Sequence, residues 1–167
     1  MQFKDDIIDW IVNRLSVPNS TFNNFPACPY AKKAYTDNKI IYHEMYLYNH
    51  ISTKDNIKAE LENYTYHWPK NIEVVVIGTD PQNISADDLT ELVTLANHTF
   101  LKDRGYIALE DHPDEIEQVD GINLNQGKYA LVLLQEESKL NEARKFLQEK
   151  NYYKNWDPQY LEEVINR

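Results

Sequence analysis

At 167 residues, with 42% hydrophobic and 26% charged residues, the chain has the composition of one soluble globular domain, 1–167, large enough for a core of its own. Its net charge of −10 argues against nucleic acid and anionic membranes as partners, and no apolar run approaches the length of a membrane span. The single cysteine excludes an internal disulfide and fits a reducing cytoplasm, and the 4 glycines form no GxGxxG or P-loop pattern for holding phosphate.

The N-terminal residues lack the basic start and apolar stretch of a secretory signal. Residues 5–16 read as a helix, with Trp10, Ile11 and Leu15 recurring at helical spacing. A loop rich in Asn, Ser and Pro runs to Ala27. A short helix follows, with Cys28 as its N-cap, Pro29 at its first position and its end near Asp37-Asn38. Residues 39–48 alternate as a strand, with Ile41, His43, Met45 and Leu47 on one side and Tyr42, Glu44, Tyr46 and Tyr48 on the other. Ser52 or Thr53 caps a helix carrying Ile57, Leu61 and Tyr64. The β-branched run 72–77 is a central strand buried on both faces and ended by Gly78-Thr79-Asp80-Pro81. Ser85 caps the next helix, whose apolar stripe is Leu89, Leu92, Val93, Ala96 and Phe100. Gly105 closes it.

A third strand covers 106–110, a polar loop without regular pattern covers 111–127, and a fourth, strongly apolar strand covers 129–134. Helix 137–150 packs through Leu140, Ala143 and Leu147. Asp157-Pro158 opens a last helix. This order predicts an α/β or α+β fold with a four-stranded mixed sheet packed with helices. Its last two strands can pair antiparallel.

Two segments carry candidate chemistry. In Pro26-Ala27-Cys28-Pro29-Tyr30-Ala31-Lys32-Lys33, a thiol at a helix N-terminus with lysines one turn on is placed to lose its proton easily. In Glu110-Asp111-His112-Pro113-Asp114-Glu115, strand alternation puts Glu110 and His112 on one face and Asp111 on the other. A histidine beside carboxylates suits general acid–base work or metal binding. The plain alternatives are a buried, inert cysteine and a solvated acidic loop. His43, on the apolar face of its strand, reads as a core histidine satisfied by a neighbour, and His50, His67 and His98 show no ligand spacing.

The Cys-Pro-Tyr triplet resembles the active site of glutaredoxins, with Ala31 where their second cysteine stands. A longer resemblance joins both segments. Trp10 in the first helix, Ala27-Cys28-Pro29-Tyr30-Ala31-Lys32, Asp111-His112-Pro113-Asp114 and Leu133-Leu134-Gln135-Glu136-Glu137-Ser138 are similar in order and spacing to the bacterial family known as domain of unknown function 1415. The chain departs from that pattern at Asp111, where an aromatic precedes His-Pro, and in Asn125-Gln126-Gly127-Lys128, where an Arg-Ser-Pro stretch is expected. The family has no assigned activity. The resemblance implies that its two hallmark segments belong together.

Three readings follow. In the first, the chain is an enzyme acting on a small molecule or protein of unknown identity. Cys28 is its nucleophile or redox thiol, Lys32 lowers the thiol pKa, His112 is the base or acid, and Glu110 or Asp114 orients the imidazole. In the second, Cys28, His112 and a carboxylate hold a divalent metal as cofactor. In the third, the chain is a non-catalytic acidic domain that binds a protein through a tyrosine-rich surface, and Cys28 is structural. A depressed Cys28 pKa and a pocket shared by Cys28 and His112 are the expectations that separate the first two readings from the third.

Overall fold

The computed structural model describes residues 2–46, 51–115 and 118–166. Helix α1, Gln2–Trp10, buries Phe3, Ile7 and Trp10 and continues through a π turn at Ile11–Leu15, which keeps Ile11 and Leu15 on the buried side. The loop that follows contains a two-residue antiparallel ladder, β1 (Pro18–Asn19) with β2 (Phe25–Pro26). Helix α2 spans Ala31–Thr36, and strand β3 spans Ile40–Glu44. Leu47, Tyr48 and His50 lie outside the described residues.

Helix α3, Thr53–Tyr66, is capped by Ser52, whose side chain accepts from the Asp55 N–H. Strand β4 spans Val74–Thr79 and so includes Gly78, which lies inside the strand. Gly78 is there because Phe3 is packed against it. A Cβ at this position would stand 2.2 Å from the Phe3 ring. Helix α4, Ala86–Ala96, is capped by Ser85 and runs on as a π turn, Asn97–Leu101. Gly105 ends this segment at φ 81, the left-handed conformation that glycine adopts without strain.

Strand β5, Tyr106–Asp111, leads into the segment read from sequence as patternless. That segment contains a hairpin, β6 (Gln118–Val119) with β7 (Ile122–Asn123). Its turn residues Asp120 and Gly121 both have positive φ, at 50 and 79, as a type I′ turn requires. Strand β8, Ala130–Glu136, and helices α5, Glu137–Glu149, and α6, Pro158–Asn166, complete the fold. The Asp157 carboxylate caps α6 by accepting from the N–H groups of Gln159 and Tyr160.

The main sheet has the order β3-β4-β8-β5. β3 is parallel to β4, and β8 is antiparallel to both β4 and β5. The two apolar strands are therefore the central pair, as their lack of alternation requires. Val75, Ile77, Val132 and Leu134 point to one face, covered by α3 and α4 through Ile57, Leu61, Leu89 and Val93. Val76 and Leu131 point to the other, covered by α1 and the π turn after it. A third cluster joins Phe22 and Val119 to Leu147 and Tyr152 of the C-terminal region. In α5 only Leu147 is buried, while Leu140 and Ala143 are partly exposed. No helix among the described residues is long and apolar enough to cross a membrane.

Candidate functional site

Cys28 sits before a turn, not at a helix cap. Its carbonyl accepts from the Ala31 N–H at 3.2 Å, and Tyr30 occupies the N-cap position of α2. Its own N–H donates to the Leu15 carbonyl at 2.9 Å, which ties it to the end of the first helical segment. Although the residue as a whole is only partly buried, burial around the sulfur pushes the thiol pKa up. The N–H groups of Ala31 and Tyr30 pull it down by less. Lys32 is exposed, and Lys33 is paired with Asp37. Neither lysine offsets the burial, so the expected depressed thiol pKa is overturned. A six-residue helix with the thiol outside its cap offers little dipole, and desolvation dominates.

His112 is 0% exposed. Its Nε2 lies 3.0 Å from the Ile84 carbonyl oxygen, and its Nδ1 accepts from the Asp114 N–H at 3.1 Å. A carbonyl can only accept and an amide N–H can only donate, so the proton of the neutral ring belongs on Nε2. Both ring nitrogens are thereby occupied by backbone. The Asp114 carboxylate is 84% exposed and 3.8 Å from Nδ1, and the residue holds the imidazole through its backbone N–H. Glu110 faces the same side of the sheet as His112, as alternation predicts, but neither of the two ring contacts comes from it. The roles of His112 as base and of Glu110 or Asp114 as its orienting carboxylate draw no support from these two backbone contacts.

Cys28 and His112 pack with different clusters. Cys28 packs with Ala27 and Ala31 against the Trp10–Leu131 cluster on one face of the sheet. His112 is bonded to Ile84, which belongs to the cluster on the other face. The shared pocket and the metal site built on Cys28 and His112 draw no support from this packing. Among the described residues no group of three or more His, Cys, Asp or Glu side chains is placed to hold a metal ion.

Asp111 faces away from His112 and organises the loop. Its Oδ1 accepts from Asn125 Nδ2 at 2.8 Å, and its Oδ2 accepts from the Gln126 N–H at 2.9 Å. The Asn125 amide also donates to the carbonyls of His112 and Glu115. Arg14 and Trp10 donate to the carbonyls of Asn125 and Leu124, so the first helical segment anchors this loop. Asp111, Asn125 and Gln126 are all buried, and they bond one another and the backbone. His43 has its neighbour. Its Nδ1 is 3.1 Å from the Tyr64 hydroxyl and 3.6 Å from Glu60.

A residue that sequence reading passed over is Asn97. It is buried at the start of the π turn that continues α4, four residues beyond Val93, and its side chain amide meets both backbone groups of Ala108 at 2.9 Å. A polar side chain at a stripe position was its only signal in the sequence. No family model matches this chain, and neither does any of the curated proteins or solved structures with which it was compared.

Proposed function

We propose that this chain is a non-catalytic, acidic protein-binding domain in which Cys28 is structural. The observation that carries the reading is the engagement of His112. With both ring nitrogens bonded to backbone and no exposure, the imidazole has no atom left for a substrate, a nucleophile or a metal. The thiol-catalyst reading then lacks its base, and a thiol whose pKa is pushed up is a poor nucleophile near neutral pH. Tyrosine supplies the surface. Tyr46, Tyr66 and Tyr30 are 76%, 67% and 38% exposed, and tyrosine gives a large, amphipathic contact area at low entropic cost. The net charge of −10 selects a basic partner surface.

Photo-crosslinking residues placed at 46 and 66 test this in cells. The expected result is one discrete protein partner, captured more weakly as salt is raised and captured equally by Cys28→Ser. Loss of capture in Cys28→Ser, or a covalent adduct on Cys28 in the recovered protein, would instead favour thiol chemistry.

A further inference from the structure

The two edges of the sheet are treated differently. At the β5 edge, the N–H and C=O of Ala108 point away from β8 and are both taken by the Asn97 side chain. At the β3 edge no such cover exists among the described residues. The bonds at the ends of the parallel β3–β4 ladder set its phase. Val74 N–H donates to the Lys39 carbonyl, and Met45 N–H donates to the Gly78 carbonyl. Odd-numbered residues of β3 therefore bond β4. The N–H and C=O groups of Ile40, Tyr42 and Glu44 point outward, away from the sheet. No hydrogen bond among the described residues meets these six backbone groups, and all five residues of β3 are partly exposed. An open edge of this kind is a template for another strand.

We infer that the β3 edge is a strand-addition site for an extended, basic segment of a partner protein. The inference rests on the protein-binding reading and names where and how that binding occurs. Charge selects the occupant. A second copy of this chain would bring a further −10 to the same edge. At one end of the edge stand two carboxylates, Glu44, which accepts from the Tyr46 hydroxyl, and Glu60, which leans on His43 from α3. At the other end Lys39 is already paired with Glu73. Lys4 is drawn over the Tyr42 ring. The added strand thus carries Lys or Arg opposite Glu44, because directly opposed side chains are the pairs that stabilise a ladder.

The test uses the full chain, isotopically labelled for NMR, and three synthetic ten-residue peptides: alternating Val-Lys, alternating Val-Glu, and Val-Lys with two prolines in its centre. In the free protein the amides of Ile40, Tyr42 and Glu44 should exchange faster than those of Ile41 and His43. The Val-Lys peptide should shift β3 resonances and slow exchange of the three outward amides by about tenfold or more. The Val-Glu and proline peptides should do neither. Glu44→Lys should weaken Val-Lys binding by about tenfold and let the Val-Glu peptide bind. Glu44→Pro should abolish Val-Lys binding with the fold intact, since an edge strand tolerates proline on its open side.

Protection of the three outward amides in the free monomer would overturn the inference, as would concentration-dependent dimers that protect them. No response to the Val-Lys peptide would also overturn it. Peptide shifts confined to the surroundings of Tyr30 and Tyr66 would overturn strand addition alone and leave the protein-binding reading standing. Failure of that reading would show instead as absent partner capture at 46 and 66.

Discussion

The side chain of Asn97 and the backbone of Ala108 form a two-bond pair in which one amide does the work of a neighbouring strand. Asn97 Nδ2 donates to the Ala108 carbonyl, and Asn97 Oδ1 accepts from the Ala108 N–H. The pair satisfies two backbone groups that a buried sheet edge would otherwise leave without partners. Asn97→Ala should therefore cost about 2–4 kcal/mol, the penalty for stranding one buried donor and one buried acceptor. Asn97→Asp should also destabilise, because its carboxylate meets the Ala108 carbonyl with no hydrogen to offer. Urea denaturation measures both. Asn13→Ala, which removes only an exposed bond to Asp9, should stay within about 0.5 kcal/mol of the parent.

His112 should carry its proton on Nε2. Nitrogen chemical shifts of the labelled ring report the tautomer directly, and a proton on Nδ1 would contradict the bonding to Ile84 and Asp114. His112→Ala should destabilise by about 3 kcal/mol or more, through the cavity left by a fully buried ring and the loss of a partner for the Ile84 carbonyl.

Cys28 sets a pH dependence whose sign follows from its surroundings. Burial raises the folded thiol pKa above its ordinary value of 9.0, so the fold favours the protonated form. That contribution is complete below the unfolded value and is lost as pH rises from there through the folded value. The parent should lose stability relative to Cys28→Ala above about pH 9. Iodoacetamide should alkylate the folded protein with a midpoint above 9.0. A midpoint at or below that value would restore the activated thiol.

Gly78→Ala should cost about 1–3 kcal/mol by overpacking, because the new methyl would lie 2.2 Å from the Phe3 ring and 3.0 Å from Leu131. Phe3→Leu should recover part of that loss when combined with Gly78→Ala, while being destabilising alone. A double-mutant cycle measures the coupling. Additive effects would show that α1 does not sit on β4 at this point.

The order of the ten principal elements was legible in the chain itself because it depends on local chemistry. Unbroken β-branched runs at 72–77 and 129–134 demand cover on both faces, and they are the central pair β4 and β8. Ser52, Ser85 and Asp157 cap helices because their short acceptors reach the first free N–H groups, whatever the rest of the fold does. The hairpin at Asp120-Gly121 was also written locally, in a dipeptide suited to positive φ, but its short strands have no hydrophobic alternation to announce them. Alternation placed Glu110 and His112 on one face. Only the packing of α1 on one side of the sheet and α4 on the other decided that this face is the one opposite Cys28. Burial of the thiol, the backbone bonds that consume His112, the cover that Asn97 lends to β5 and the open edge of β3 all arise from residues far apart in the chain. Long-range contact and desolvation set them, and no local pattern encodes either.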